Sequence, residues 1–223
     1  MKKQPVKIKS IVHETHDVLQ IVTLKPDNAH FVPGQATEIF LDKTGWENEG
    51  RPFTFTGLPN QDHLEFLIKT YPEHKGVTYE LLNLQKGDEL ILNEIFGAIN
   101  YKGEGTFIAG GAGVTPFVSI FRDLRAKDKI GNNRLLFANK TKADIILEKE
   151  FTEMLGNHFV NILSDEKTEE YAHGLIGKDF ITQNCASLEG FFYVCGPPPM
   201  MQAIERQLVE LNIKKNMIIM EKF

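Results

Sequence analysis

The sequence is poor in the residues that anchor metals and cross-links. Its 223 residues include two cysteines, Cys185 and Cys195, and a single tryptophan, Trp46. Two thiols cannot ligate a four-cysteine iron–sulfur cluster, and nothing else suggests the disulfide framework of a small secreted domain. No apolar run reaches the ~18 residues needed to span a bilayer. The opening stretch, MKKQPVKIKSIVHE, has lysines but no continuous apolar core, so no secretory leader is expected. Basic residues do not dominate: 25 Lys and Arg against 30 Asp and Glu give a net charge of −5. That balance argues against nucleic acid or an anionic membrane surface as a partner. No Ser–His–Asp, paired-carboxylate or metal-ligand arrangement stands out, and no metal is expected. The reading is a soluble protein of a reducing compartment, taken as cytoplasmic. Its 42% hydrophobic share is sufficient for one large or two small cores.

What the chain does have is glycine in telling places. Thr106–Phe121 reads TFIAGGAGVTPFVSIF. A short apolar run breaks at Gly110, Gly111 and Gly113, and helical apolar spacing then begins at Phe117, Ile120, Phe121 and Leu124. Strand, glycine turn, helix leaves N–H groups free at a helix start, where a phosphate can sit. Pro116 suits the first helical turn, because its missing N–H costs nothing there. Pro116 also occupies the third glycine position of a GxGxxG pattern, so by itself the stretch reads equally as an ordinary tight βα turn.

The two halves of the chain differ in period. Before this stretch, short strands alternate with turns: Val6–His13, Val18–Leu24, a strand through Thr37, Ile39 and Leu41, Arg51–Gly57, Leu64–Tyr71 and Glu89–Asn93. Six such strands, with one short helical segment at Tyr79–Leu84, predict a small antiparallel barrel. After it, strands alternate with helices: Phe117–Lys127 helical, Arg134–Ala138 strand, Ile146–Leu155 helical, Phe159–Leu163 strand, Ile176–Gln183 helical, Phe191–Cys195 strand, Pro198–Leu211 helical, Asn216–Met220 strand. That alternation predicts βαβ units in a parallel, doubly wound sheet. The boundary is set at residues 1–102 and 103–223.

Three further stretches carry chemistry. In Arg51–Gly57, RPFTFTG, an arginine fork suits a phosphate, threonine hydroxyls can donate to ring or sugar atoms, and phenylalanines can lie on a planar heterocycle. An edge strand with one surface arginine has the same composition. Gly76–Val77–Thr78 at a helix start is a second possible anion site. Phe192–Tyr193–Val194–Cys195–Gly196–Pro197 ends a strand with a thiol and a second glycine turn; a buried structural thiol is the simpler reading of Cys195. Leu136–Phe137–Ala138–Asn139 leads to a loop ending at Asp144, where a ribose-reading acid or a helix N-cap would fall.

In this order these stretches resemble the ferredoxin–NADP reductase superfamily over essentially the whole chain: a flavin-binding barrel, then a nicotinamide-nucleotide domain. Arg51–Pro52–Phe53–Thr54 is similar to the family's R-x-Y-[ST], with Phe53 where tyrosine is usual. The resemblance implies that Arg51 holds a flavin phosphate and Thr54 bonds the flavin nitrogen that accepts hydride. Ile68–Lys69–Thr70–Tyr71 resembles the strand whose backbone lines the flavin. Gly76–Val77–Thr78 resembles the G-x-x-[ST] pyrophosphate segment, implying FAD. Gly110–Pro116, with Gly111, Gly113 and Thr115, looks like the NAD(P) pyrophosphate loop, Thr115 lying near the nicotinamide. Cys195–Gly196–Pro197–Pro198–Pro199–Met200 is similar to C-G-P-P-x-M, which puts Cys195 where hydride leaves nicotinamide, with Gly196, Pro197 and Met200 in contact. At the end of the sequence, Phe223 would shield the flavin and Glu221 would handle protons, although a frayed terminus reads the same way. Asp144 favours NADH, while Lys140 and Lys142 could pair with the 2′-phosphate of NADPH; NADH is preferred. The activity implied is hydride transfer from NAD(P)H to FAD, then single electrons to a separate ferredoxin, flavodoxin or cytochrome. The alternative is a flavin- and nucleotide-binding subunit of a larger redox complex.

Overall fold

A computed structural model of the chain describes residues 3–97, 99–185 and 187–220. Its contacts divide it into two units: Met1–Gly97 with Thr115–Asp123, and Ala98–Val114 with Leu124–Phe223.

The first unit holds β1 (Gln4–His13), β2 (Val18–Leu24), β3 (Ala36–Leu41), β4 (Arg51–Thr54), β5 (His63–Lys69), the one-turn α1 (Val77–Glu80) and β6 (Glu89–Phe96). The strands form one antiparallel sheet in the order β4-β3-β6-β1-β2-β5. Inward-facing Val6, Ile8, Ile21, Ile39, Leu41, Leu64, Phe66 and Leu92 make its core, as period-two alternation requires of a sheet wet on one face. Among the described residues the two end strands are bridged at one place. Just beyond β4, Phe55 bridges Phe66 of β5, and the Thr56 N–H donates to the Glu65 carbonyl at 2.9 Å. Phe55 is stacked on Phe31 with centroids 4.2 Å apart, so an aromatic pair pins the seam and closes the sheet into a barrel. Val77 and Leu81, from α1 and the turn after it, are buried in the same core.

The second unit is built on β7 (Gly105–Gly110), β8 (Arg134–Asn139), β9 (Phe159–Leu163), β10 (Ala172–His173), β11 (Phe191–Cys195) and β12 (Ile218–Met220). Every pairing is parallel, in the order β10-β9-β8-β7-β11-β12. Helix α2 (Thr115–Ala126) follows β7 in the chain, although its residues 115–123 group with the first unit; α3 (Glu148–Leu155), α4 (Lys178–Asn184) and α5 (Pro198–Glu210) belong to the second. All six residues of β7 are buried, the mark of a central parallel strand covered on both faces. From β7 the chain winds outward through β8, β9 and β10, then returns to β11 on the other side. Strand order therefore reverses between β7 and β11, the point where such sheets bind ligands. Beneath it Tyr193 stacks on Phe107 at 4.2 Å. Its hydroxyl accepts from the Lys102 and Gly103 amides and donates to the Gly103 carbonyl, so the stretch before β7 is tied to β11.

β2, β9 and β11 have the expected limits, and β10 was not anticipated because two residues carry no periodicity. Two helices start later than their apolar spacing suggests. Ile145 is buried in an extended conformation, Ile146 is buried in the turn that follows, and Leu147 takes a left-handed conformation (φ 53°) before α3 begins at Glu148. Ile176 is likewise buried ahead of the Gly177 cap of α4. In both cases core anchors of the incoming loop look like the first turn of a helix.

Candidate flavin and nucleotide sites

In the first unit, Arg51, Pro52, Phe53 and Thr54 form β4, an end strand paired with β3 alone. Arg51 and Pro52 are exposed. The Arg51 guanidinium donates to the Gly50 carbonyl at 2.8 Å and lies 3.6 Å from the Glu49 carboxylate. Phe53 rests partly against the core, and Ile68 is fully within it; Ile68 thus offers a ligand its backbone rather than its side chain. Continuing the Phe55–Phe66 bridge in antiparallel register would set Thr54 opposite Leu67 and Phe53 opposite Ile68. No such pairing forms among the described residues. The ladder between the end strands stops there, between the two predicted stretches, 51–54 and 68–71. Lys69 is fixed by a 2.6 Å ion pair to Asp17. Thr70 leaves the ladder, donating from its backbone N–H and its hydroxyl to the Asp17 carbonyl. Tyr71 is exposed, its ring edge-on to His74. Gly76 caps α1 in an extended conformation with no side-chain cap hydrogen bond, and a Cβ on it would meet nothing within 4 Å. The helix that follows Gly76 is a single turn, so Val77 and Thr78 would recognise an anion through their amides rather than through a macrodipole.

In the second unit, β7 runs into a 3-10 turn, Gly111–Val114, and directly into α2. Gly111 has φ 52° with open space around it, a left-handed residue where glycine avoids strain. Gly113 is required for closeness: a Cβ there would lie 2.6 Å from the Cys195 carbonyl carbon and from the Gly196 Cα. A Cβ on Gly110 would strike the Met200 sulfur and come within 3.1 Å of Pro197. The turns after β7 and β11 are therefore packed backbone on backbone at the point where strand order reverses. Gly110, Gly113, Cys195, Gly196, Pro197 and Met200 lie against one another there. Cys195 is buried, and Pro197–Pro198 starts α5. Thr115, the first residue of α2, is 8% exposed.

Asp144 stands beyond the adjacent strand, β8, in a capping box. Its carboxylate accepts from the Thr141 amide at 2.8 Å and the Thr141 hydroxyl at 2.7 Å. The N-cap of that turn is Thr141, and Asp144 is its third-position partner. Around the same turn the loop after β9 contributes acids. Glu166 accepts from the Lys142 amide at 2.6 Å, and Glu170 pairs with the Lys142 ammonium at 2.7 Å. The hydrogen bond to Glu170 raises the Lys142 pKa, and its counterpart lowers that of Glu170. Tyr171 donates to Glu148, and desolvation, aided by that bond, pushes its phenol well up. Three carboxylates thus surround one lysine.

Sequence reasoning missed Asn139, the last residue of β8. Its amide nitrogen and oxygen are both buried without a hydrogen-bond partner among the described residues, an arrangement that calls for a ligand or an ordered water. The one signal was a polar residue closing an apolar run. Glu166 and Glu170 were also missed, since they lie 24 and 28 residues from their partner in sequence. Glu221 and Phe223 fall outside the described residues. A cavity of about 360 Å³ lies elsewhere, at the outer edge of the sheet beside β9 and α4; none of the predicted site residues lines it. Among the described residues no helix is long and apolar enough to cross a membrane.

Comparison with known proteins agrees with this geometry. Residues 107–206 match the oxidoreductase NAD-binding domain family. The chain is 26% identical to the reductase component of propane 2-monooxygenase from Mycolicibacterium smegmatis, over 97% of this chain and 66% of that protein. It is 27% identical to NADH-cytochrome b5 reductase 2 of Mycosarcoma maydis, over 88% of this chain and 62% of that protein. The chain therefore spans a little under two thirds of the length of these curated relatives. Among solved structures, the FAD/NAD-binding domain of nitric oxide dioxygenase from Vibrio cholerae superposes with a TM-score of 0.88 at 22% identity, covering 100% of this chain and 99% of that one. A ferredoxin NADP+ reductase from Neisseria gonorrhoeae gives 0.83 at 18%, covering 99% and 98%; at such identities the likeness is one of fold. Residues 107–206 thus match the oxidoreductase NAD-binding domain family, and the barrel and the reversed parallel sheet give the chain the two-domain fold of these solved proteins.

Proposed function

We propose that the chain is an FAD-dependent NAD(P)H oxidoreductase, preferring NADH, that delivers electrons to a separate redox protein. The observation that carries this reading is the pair of glycine turns packed against each other where the parallel strand order reverses, with the orphaned Asn139 amide on the next strand. Both features suit a dinucleotide: the turns let its pyrophosphate approach the backbone, and the amide offers a donor and an acceptor. For the flavin, the interrupted ladder between the end strands and the uncrowded Gly76 fit a planar ring and a phosphate.

In this proposal residues 1–102 bind FAD and residues 103–223 bind the nicotinamide nucleotide. Arg51 holds a flavin phosphate, with Gly76, Val77 and Thr78 supplying amides to the pyrophosphate. Thr54 donates toward the flavin ring, Phe53 and Pro52 pack beside it, and the backbone of Ile68, Lys69 and Tyr71 lines it. Gly111, Gly113 and Thr115 hold the nucleotide; Gly196, Pro197 and Met200 wall the nicotinamide, and Cys195 lies against its reacting carbon. Glu221 handles a proton and Phe223 shields the flavin. When bound, FAD supplies the acceptance of a hydride and the release of single electrons, and the protein's part is position and exclusion of side reactions.

Preference for NADH follows from charge. Asp144, Glu148, Glu166 and Glu170 disfavour a 2′-phosphate, and Glu170 occupies the lysine that would otherwise welcome it. The named relatives serve an oxygenase and a cytochrome, which supports a protein acceptor of the cytochrome, ferredoxin or flavodoxin kind. The test is reconstitution with FAD. Native protein should retain the flavin through gel filtration. Arg51→Ala should weaken FAD binding about 10- to 100-fold, the value of one charge-assisted hydrogen bond at about 1.5–3 kcal/mol, while leaving NAD+ binding unchanged. Native protein that takes up no FAD would refute the proposal.

A further inference from the structure

The helix that follows the glycine turn does not group with the unit whose strand leads into it. Residues Thr115–Asp123 of α2 belong with the antiparallel unit, and the division falls between Val114 and Thr115. Two side chains tie it there. Ser119, fully buried, accepts through its hydroxyl from the Gly34 amide at 3.0 Å. One turn on, Arg122 donates to the Thr56 carbonyl at 3.0 Å and to the Glu65 carboxylate at 2.5 Å. Both side chains are largely buried, at 18% and 12% exposure. Glu65 is saturated: it also accepts from the Thr56 hydroxyl at 2.8 Å and the Gln20 amide at 3.1 Å. Thr56 lies two residues beyond Thr54, and the Thr56 N–H bonds the Glu65 carbonyl on β5. Arg122 therefore grips the seam at the point where β4 and β5 are joined, immediately before the ladder between them stops.

We infer that Arg122 is a positioning residue that fixes Thr115 to the flavin-binding strands, so that the hydroxyl beside the nicotinamide and the hydroxyl beside the flavin, Thr54, are carried by one compact unit. The inference rests on the functional reading above. Both bonds leave the same terminal nitrogen, Nη1, whose two hydrogens have fixed directions in the guanidinium plane, so the two acceptors together set the orientation of the side chain. Removing it leaves Glu65 short of its cation and frees α2 to shift. A shift of about 1 Å at a reacting centre costs on the order of 10²-fold in rate without loss of binding.

The experiment compares native protein, Arg122→Met and Arg122→Lys, with Glu65→Gln as the milder variant should Arg122→Met fail to fold. Amide hydrogen exchange on cofactor-free protein is read over residues 111–119, and FAD and NAD+ dissociation constants and the flavin reduction rate at saturating NADH are measured on reconstituted protein. Arg122→Met should speed exchange across 111–119 and lower the reduction rate at least tenfold, with both dissociation constants within about threefold of native. Arg122→Lys should recover part of the rate, and Glu65→Gln should show the same split, smaller in size. Unchanged exchange, or a rate that falls only in proportion to FAD lost, overturns the inference. If native protein binds no FAD, the functional reading fails separately, and the exchange result still decides whether Arg122 holds this segment.

Discussion

Gly113 offers the sharpest test of how the nucleotide turn is built. A methyl group there would sit 2.6 Å from the Cys195 carbonyl carbon and from the Gly196 Cα, where carbon atoms pack best at about 3.5–4.0 Å. The two turns would have to separate by about 1 Å, and both neighbours are backbone, which cannot rotate aside as a side chain can. Overpacking of this kind costs about 1–3 kcal/mol, and backbone neighbours put Gly113→Ala at the upper end. For a chain of this length each kcal/mol lowers the unfolding midpoint by about 2–4 °C, so a fall of roughly 5–12 °C is expected. Gly111→Ala is the matched control: nothing lies within 4 Å of its Cβ. Its cost is the left-handed backbone, about 1–2 kcal/mol, partly offset by the lower entropy of the unfolded chain. Thermal unfolding followed by near-ultraviolet circular dichroism gives both midpoints, and calorimetric titration with NAD+ gives affinity. Gly113→Ala should also bind NAD+ about tenfold more weakly, since its turn has moved. A Gly113→Ala protein as stable as Gly111→Ala would refute the close-approach argument.

Two other substitutions separate structure from selectivity beyond β8. Asp144→Ala should lower stability by about 1 kcal/mol through loss of the capping box and shift the NAD+/NADP+ affinity ratio toward NADP+, both readable by calorimetry and thermal melts; an unchanged ratio would leave Asp144 a purely structural residue. Glu170→Gln should free Lys142 and improve NADP+ binding with NAD+ binding unchanged. Because Lys142 holds the Glu170 carboxyl below its ordinary 4.5, their attraction is present above that value and is lost as pH falls through the lowered one. The Lys142 ammonium resonance in NMR should therefore respond at acid pH in native protein but not in Glu170→Gln; a native resonance that does not move would remove the pair from the account.

Much of this architecture was legible because local signals and tertiary packing agree. The change from period two to alternating strands and helices marked the two halves, and the glycine interruptions at 110–113 and 196 marked the turns that meet. What was hidden depended on partners far away in sequence. The apolar face of α2, Phe117, Ile120, Phe121 and Leu124, announces a buried helix but not which sheet it serves. Nor does it announce the hydrogen bonds of Ser119 and Arg122, whose partners lie 85 and 57 residues away. Asp144 shows both sides of the problem. Its position after β8 suggested a ligand contact, whereas the Thr141-x-x-Asp144 spacing, a capping pattern, was equally visible. The late starts of α3 and α4 were not legible, since buried Ile145, Ile146 and Ile176 fit a helical pattern while anchoring the chain ahead of each helix.

The central claim is that one chain holds both a hydride donor and its acceptor. Anaerobic titration of the FAD-reconstituted protein with NADH, followed through the flavin's visible absorption, tests it most directly. The account predicts bleaching that is complete near one equivalent and markedly faster with NADH than with NADPH. Flavin that stays oxidised under saturating concentrations of both nucleotides would contradict it.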